Sequence, residues 1–301
     1  MDHDSVLTVR VLPADRAHQR LRYGLYLPNF GKASNPKTYA ELALMAERAG
    51  WDGFFLWDHL IEWNQRIPLT DSFIALAAIA MKTREIRIGT TVTPLPRYQP
   101  WNVARQVASL DQLSDGRMIL GVGLGGKEST DYQRFGMASD KTVLARRLDE
   151  MLDIITGLWS GKPFSYTGEY YQVLKKTAFL PTPKQKPRVP IWVGGFWPNK
   201  GPFRRAAKWD GVLPLKLGHP IRPAPQDLRD ILDFIAKHRS IANHFEAAII
   251  GWGTGRNKEE NARRVRPYVE AGLTWWLESL YIGHDSVEKM RKRIRMGPPS
   301  F

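Results

Sequence analysis

Strand-like and helix-like segments alternate eight times along this chain. Short β-branched and aromatic runs are each followed by a longer segment of helical periodicity, and Pro, Asn or Gly marks many of the boundaries. The strands are predicted at residues 21–27, 52–57, 86–92, 117–122, 191–193, 211–214, 246–250 and 274–277. Because such alternation builds parallel strands and eight units can close, the sequence predicts a (β/α)8 TIM barrel, whose active site would lie at the carboxyl ends of the strands.

Two segments stand outside the alternation. Residues 1–20 precede the first strand and are predicted to form an N-terminal arm, whereas residues 21–301 are predicted to form a single barrel domain. Residues 161–189 contain clustered tyrosines and several prolines, which is typical of a hairpin followed by an extended return. The expected architecture is therefore a barrel with an insertion after the fourth βα unit.

Composition excludes several classes of chemistry. The chain has no cysteine, so thiolate catalysis, disulfides and cysteine-ligated metals are ruled out, and the histidines lack the spacing of metal ligands. No apolar run approaches the roughly 20 residues of a membrane span, and the first residues lack a signal-peptide pattern, so a cytoplasmic protein is expected. The net charge of +14 raises nucleic acid as a partner, but the basic residues are scattered as on a solvated surface.

Three predicted strands are followed by loops that can carry chemistry. Asp58 and His59 follow the second strand, where His59 can donate a hydrogen bond to a bound oxygen species or exchange a proton. The alternative is a structural histidine. A proline-locked turn at 93–100 follows the third strand, and a glycine cluster at 121–126 follows the fourth. The cluster matches the glycine pattern of a dinucleotide-binding loop, but that loop is normally followed directly by a helix, and no helix pattern follows here. Two interpretations fit better: glycines that let a flat cofactor ring approach the backbone closely, or an ordinary barrel turn.

A second glycine pair and five tryptophans complete the candidate site. Gly194 and Gly195 follow the fifth predicted strand as a turn whose N–H groups can bind an anion, supported by Arg204 and Arg205, unless it is an ordinary loop. Several tryptophans near strand ends predict an aromatic pocket mouth, with barrel packing as the alternative for some of them. They are Trp57, Trp63, Trp101, Trp192 and Trp197.

At these residues the chain resembles the bacterial luciferase-like, flavin-dependent oxidoreductases, a family of TIM barrels. The resemblance extends from residue 21 to about 295, and its order and spacing are more specific than any single motif. The matching segments are Gly24–Asn29, Trp57–His59, Gly89–Pro94, Leu113–Arg117, Leu120–Gly123, Val193–Gly195 and Arg205–Gly211.

The resemblance implies a cofactor lying across the carboxyl ends of the strands. Asp58 would contact it, Thr91 and Val92 would sit where relatives have a non-prolyl cis peptide behind the flavin ring, and Gly194, Gly195 and Phe196 would take its phosphate. The loop at Gly123, Leu124 and Gly125 would leave room beside the ring. His59 and Trp63 would be the catalytic residues, since deazaflavin-dependent relatives use a His as base and a Trp to steady an intermediate.

Two cofactors are compatible with the resemblance. The favoured function is an FMN-dependent monooxygenase that takes reduced flavin from a separate reductase and uses O2 on a small, partly apolar substrate. The alternative is a coenzyme F420-dependent dehydrogenase or reductase that transfers a hydride. Sugar-phosphate dehydrogenases of that type carry Glu where this chain has Gly126, which disfavours that substrate. A third hypothesis is a basic, non-catalytic flavin- or nucleic-acid-binding protein. The resemblance also implies a homodimer.

Overall fold

Eight parallel strands form a closed barrel in the computed structural model of the chain, which describes residues 20–62, 66–125, 130–240, 244–281 and 286–301. In order around the barrel the strands are β1 (Arg22–Leu27), β2 (Gly53–Leu56), β3 (Arg87–Pro94), β4 (Met118–Gly123), β7 (Ile191–Trp197), β8 (Gly211–Lys216), β9 (Glu246–Gly251) and β10 (Trp275–Ser279). All neighbouring pairs are parallel, so all eight carboxyl ends lie at one end of the barrel. The predicted TIM barrel is confirmed.

Helices surround the barrel. They are α1 (Pro36–Arg48), α2 (Ser72–Lys82), α3 (Pro100–Leu113), α4 (Thr130–Gln133), α5 (Lys141–Trp159), α6 (Lys200–Ala206), α7 (Pro225–His238), α8 (Lys258–Glu270) and α9 (Val287–Arg295). Asn35 caps α1 by accepting a hydrogen bond from the N–H of Lys37, with Pro36 at the first helical position, as the sequence predicts. Between α5 and β7 an antiparallel hairpin, β5 (Phe164–Thr167) and β6 (Gln172–Thr177), occupies the predicted insertion. The predicted arm at 1–20 lies outside the described residues except for Arg20.

Two predicted boundaries near the fifth unit are wrong. The strand predicted at 191–193 continues to Trp197, because Gly194 and Gly195 pair with β8 and do not turn. The sequence after Pro202 predicts that the following helix begins at Phe203, but it begins at Lys200. Pro202 occupies the third helical position, where its missing N–H costs nothing because the first N–H groups of a helix have no partner within it.

Aromatic and aliphatic side chains fill the barrel interior and close its lower end, where the strands begin. The interior cluster comprises Phe55, Ile119, Trp192, Leu213, Ala248, Ile250, Trp275 and Leu277. At the lower end the indole N–H groups of Trp192 and Trp275 donate to the carboxylate of Glu246 over 2.9 and 3.0 Å, and Arg22 pairs with the same carboxylate. Tyr26, Val92 and Leu215 cover the cluster from the upper side, so the space for a ligand lies above them.

Candidate active site at the carboxyl ends of the strands

Two buried carboxylates at the upper end share one guanidinium. Asp58 lies two residues after the end of β2, Arg97 lies in a short 3-10 helix (Leu95–Arg97) after β3, and Asp131 lies in α4 after β4. The Nη2 atom of Arg97 is 2.9 Å from Oδ1 of Asp58, its Nη1 is 2.9 Å from Oδ2 of Asp131, and each of the three side chains is at most 3% exposed. Since an unpaired buried charge is costly, the bridging guanidinium is what allows both carboxylates to be buried.

The two carboxylates differ in acidity. Burial acts to raise the pKa of Asp131, but the neighbouring imidazole of His59 and the charge of Arg97 help to hold that pKa below its usual range. For Asp58 burial prevails and raises the pKa, against the lowering effects of Arg97 and of a hydrogen bond from the Tyr98 hydroxyl. Asp131 is therefore the more firmly ionised acceptor of the two.

His59 faces Asp131 at the edge of this network. Its Nδ1 is 3.4 Å from Oδ2 of Asp131, and its side chain is 39% exposed while that of Asp131 is 1% exposed. Its backbone is fixed by the buried side chain of Asn29, whose Nδ2 donates to the His59 carbonyl over 2.8 Å and whose Oδ1 accepts from the His59 N–H over 3.1 Å. His59 is thus a partly exposed imidazole on a rigid support, which suits proton exchange with a ligand.

An aromatic wall stands beside His59. It consists of Tyr26 on β1, Phe30 after β1, Trp57 after β2 and Tyr281 after β10. The Trp57 ring centroid is 5.2 Å from that of Tyr26, 5.6 Å from that of Phe30 and 5.3 Å from that of Tyr281. The His59 ring lies 5.8 Å from Phe30 and 5.9 Å from Trp57. A ligand at this wall meets an apolar, π-rich surface next to one imidazole.

The peptide bond between Thr91 and Val92 is cis, as the resemblance implies. At this point β3 departs from regular pairing with β4: Thr90 is opposite Leu120, but Thr93 is opposite Val122, so β3 uses one residue more than its partner. The extra residue makes a bulge at the upper end of β3, directed to the barrel axis, where Val92 covers the interior cluster.

Two glycines make room for the Val92 side chain. A Cβ atom at Gly123 would lie 2.8 Å from one Val92 methyl group, and one at Gly194 would lie 2.9 Å from the other. Gly121 and Gly123 of the predicted glycine cluster lie within β4, where a Cβ at Gly121 would lie 2.2 Å from the carbonyl oxygen of Thr90. Only Gly125 among the described members of the cluster has a positive φ, of 84°. Leu124 is half-buried and packs against the core, whereas Gly126 lies outside the described residues.

The predicted anion-binding turn at Gly194 and Gly195, which precede Phe196, is not a turn. All three residues lie in β7 and are paired with β8, and a Cβ at Gly195 would lie 2.2 Å from Cβ of Pro202. The supporting role predicted for Arg205 is also wrong, since its guanidinium is buried against the carboxylate of Asp149 on α5. The sequence does not show whether two consecutive glycines after a strand turn the chain or continue the strand, and this explains the error.

Only some of the tryptophans predicted to form an aromatic pocket mouth lie at the upper end of the barrel. Trp57 belongs to the wall, but Trp192 points into the barrel interior and binds Glu246 at the lower end. Trp101 lies at the start of α3 and lines a groove of about 440 Å³ on the flank of the barrel, together with Arg147 and Tyr171. Trp63 lies outside the described residues.

Arg97, Asp131 and Asn29 are polar site residues that the sequence did not single out. Arg97 lies inside the proline-locked turn, and Asp131 lies in the segment after the glycine cluster that was expected to be a loop. Their common signal is a polar side chain shortly after a barrel strand, as with Asp58 and His59. No group of acidic and histidine side chains able to hold a metal exists among the residues that the structure describes. Within the same ranges, none of the helices has the length and apolar character of a membrane span.

Three buried polar atoms near the upper end have no hydrogen-bond partner within the described part of the chain. They are Nε1 of Trp57, Oγ1 of Thr91 and the hydroxyl of Tyr132, the residue after Asp131. Because buried polar groups are normally paired, these three atoms could pair with a ligand that carries hydrogen-bonding atoms. Together with the aromatic wall, they fit a planar, polar-edged cofactor such as a flavin.

Comparisons with known proteins identify a family. A sequence model for luciferase-like monooxygenases matches residues 15–240. Coenzyme F420-dependent glucose-6-phosphate dehydrogenase of Nakamurella multipartita is 34% identical over 166 residues, which are 54% of this chain and 48% of that protein. The oxygenase component of the flavin-dependent trigonelline monooxygenase of Acinetobacter baylyi is 33% identical over 182 residues, 59% of this chain and 48% of that protein. The chain thus spans about half the length of these curated relatives.

Solved structures share the fold over nearly the whole chain. An F420-dependent secondary alcohol dehydrogenase in complex with an F420–acetone adduct superposes with a TM-score of 0.74 at 19% identity, covering 91% of this chain and 98% of that one. The oxygenating constituent of 3,6-diketocamphane monooxygenase of Pseudomonas putida, in complex with FMN, gives a TM-score of 0.72 at 17% identity, covering 92% and 96%. At these identities the likeness shows the barrel architecture alone.

Proposed function

The chain belongs to the luciferase-like monooxygenase family, and from this premise we propose that it is a flavin-dependent oxidoreductase whose His59 exchanges a proton with the substrate. The observation that carries the proposal is the partly exposed His59 imidazole, 3.4 Å from a buried, ionised Asp131 and beside an aromatic wall. A group that both faces a pocket and is oriented by a fixed carboxylate is suited to proton transfer.

The cofactor would lie across the upper end of the barrel. Val92 at the cis peptide would back its ring, Gly123, Leu124 and Gly125 would border it, and Asp58 would support it from below with Thr91. When bound, a reduced flavin supplies two electrons to O2 or to a substrate, and a deazaflavin exchanges a hydride. The chain's own residues would bind and orient the ring, exclude water through the aromatic wall and hold a proton at Nε2 of His59.

Three further assignments belong to this proposal. Gly194, Gly195 and Phe196 would contact the phosphate as part of a strand edge, and Trp63 would contact the substrate. A separate reductase would supply reduced flavin, as the name of the Acinetobacter oxygenase component suggests for that protein. The functional unit would be a homodimer.

FMN is the cofactor that we favour. The rings of Tyr26, Phe30, Trp57 and Tyr281 make a water-poor surface, and oxygen chemistry on a reduced flavin needs protection from water and stray protons. The substrate would accordingly be a small, partly apolar organic molecule.

A second candidate is hydride transfer with coenzyme F420. It is favoured by the pairing of His59 with Asp131, because oxidation of an alcohol requires removal of its hydroxyl proton and an imidazole held by a carboxylate is a good acceptor. The similarity to an F420-dependent dehydrogenase supports the same reading.

Titration of the purified protein with photoreduced FMN under nitrogen, and separately with F420, tests the proposal. We expect FMN to bind at least about tenfold more tightly, a difference of ~1.4 kcal/mol, and admission of air to oxidise the bound flavin. Preference for F420 with no O2 uptake would transfer the assignment to the second candidate, whereas binding of neither would reject both. His59→Ala is the matched variant: it should keep cofactor affinity and lose turnover.

A further inference from the structure

We propose that Asp131 and Arg97 are positioning residues that fix the tautomer of His59, with the proton on Nδ1 and the lone pair of Nε2 turned to the ligand. The inference rests on the proposed function for its catalytic meaning, but the arrangement itself is a property of the protein without cofactor. The two residues are buried and lie in separate segments, Arg97 after β3 and Asp131 after β4.

Asp131 can only accept from His59. Its Oδ2 faces Nδ1 of His59 at 3.4 Å and accepts from Nη1 of Arg97 at 2.9 Å, while its Oδ1 accepts from the N–H groups of Leu60 and Ile61 at 3.1 and 3.0 Å. These donors hold the carboxylate ionised, and an ionised carboxylate has no proton to give. The imidazole nitrogen that faces it must therefore carry the hydrogen, which leaves Nε2 as the acceptor.

Arg97 sets the charge balance of the network. It is the cation bridging Asp58 and Asp131, so when both carboxylates are ionised and the imidazole is neutral the four side chains carry one net negative charge. When Nε2 of His59 accepts a proton, the positive ring faces the carboxylate of Asp131 and the balance becomes zero. The network thus stabilises the charged product of proton transfer with dipoles and charges that are already in place.

The same contacts restrict movement of the imidazole. Asn29 holds the His59 backbone on both sides, and the bonds from Leu60 and Ile61 to Asp131 tie the loop after β2 to α4. The rings of Phe30 and Trp57 flank the imidazole at 5.8 and 5.9 Å. Asp131 is therefore placed to hold one orientation as well as one tautomer.

Long-range 1H–15N spectra of the full chain, labelled on imidazole nitrogen and free of cofactor, test the inference at a pH of roughly 8, where ordinary histidines are neutral. His59→Ala assigns the signal. We expect the wild type to show His59 with a protonated Nδ1, and Asp131→Ala to change the tautomer ratio by at least about tenfold, the effect of one charge-assisted hydrogen bond. Asp131→Glu should restore the Nδ1–H form at least in part, because it keeps the carboxylate.

Controls separate orientation from folding. His238, whose Nδ1 is 2.8 Å from the carbonyl oxygen of Phe234 on α7, should keep its signal in every variant. Asp140→Asn, at the exposed cap of α5, should leave His59 unchanged. Should the alanine variant fail to fold, Asp131→Asn replaces it and should shift the same ratio in the same direction. An unaltered His59 tautomer in the folded variants, or a wild-type ring protonated on Nε2, overturns the inference. Absence of cofactor binding would reject the proposed function without affecting this result.

Discussion

At each end of the barrel a partly exposed histidine faces a buried carboxylate, His244 beside Glu246 and His59 beside Asp131, but the two pairs have different surroundings. At the lower end Glu246 accepts from the indoles of Trp192 and Trp275 and pairs with Arg22, and these rings close the interior. At the upper end Asp131 is held by Arg97 and by the N–H groups of Leu60 and Ile61, and it also faces the partly exposed His59.

Both carboxylates have a pKa below the usual range, so acidity does not separate the two ends. Burial acts to raise the pKa in each case, but the lowering donors outweigh it: these include His244, Trp275 and Arg22 for Glu246, and His59 and Arg97 for Asp131. The difference lies in what the donors leave open. At the lower end His244 faces Glu246 over 3.6 Å and the indoles of Trp192 and Trp275 lie in the filled interior, whereas at the upper end the imidazole of His59 borders the aromatic wall.

Replacement of Arg97 by Met should give the largest effect on stability. It leaves Asp58 and Asp131 buried without their shared cation, and loss of one partner from a buried ion pair costs about 3–5 kcal/mol. The free energy of unfolding in urea measures it. Arg146→Met removes a surface pair with Glu169 in which both side chains are more than half exposed, and should cost no more than about 1 kcal/mol. Equal effects for the two variants would contradict the importance of the bridge.

Glu246→Gln should separate stability from cofactor binding. Glutamine keeps the shape of the side chain, but its NH2 group cannot accept from the indole N–H groups of Trp192 and Trp275. At least one hydrogen bond to a charged acceptor is therefore lost, which should lower the free energy of unfolding by about 1.5–3 kcal/mol. Urea denaturation and cofactor titration together measure the two quantities. We expect the stability of this variant to fall while its cofactor affinity stays unchanged. A folded variant that also binds the cofactor more weakly would contradict the assignment of the cofactor site to the upper end alone.

Gly194→Ala should disturb the upper end through Val92. The new Cβ would lie 2.9 Å from a Val92 methyl group, and overpacking of this kind costs about 1–3 kcal/mol. The double variant Gly194→Ala/Val92→Ala should recover part of this loss, since it removes the opposing methyl group. If a double-mutant cycle of unfolding free energies shows no coupling between the two positions, Gly194 is not required for the packing of Val92.

The smallest expected effect is the dependence of folding stability on pH in acid, through the carboxylate of Asp131. The pKa of Asp131 is below its usual value of 3.8, so the carboxylate adds stability above that value, and this contribution is lost as the pH falls through the lower pKa of the folded state. Unfolding of wild type and Asp131→Asn should therefore differ by a constant amount near neutral pH and converge in acid below about pH 4. A difference that persists unchanged at the most acidic pH where both fold would contradict the ionised state of Asp131.

The barrel could be predicted from sequence because its signal is local and repeated: each strand and helix carries its own periodicity, and β–α alternation leaves few topologies. His59 and Asp58 could be found because they directly follow a strand. Asp131 and Arg97 also follow strands but were not singled out, because the contacts that join them to Asp58 and His59 link separate segments and leave no local pattern in the sequence. Trp192 was misplaced for a related reason: a three-residue strand pattern does not reveal which face is the barrel interior.

Hydrogen exchange measured by mass spectrometry, with and without reduced FMN or F420, tests most directly that the upper end is the cofactor site. Protection should appear in segments covering residues 57–61, 90–98 and 121–125, and the lower-end segments 244–248 and 274–276 should be unchanged. Protection confined to the lower end, or to the flank groove around Trp101 and Arg147, would contradict the account.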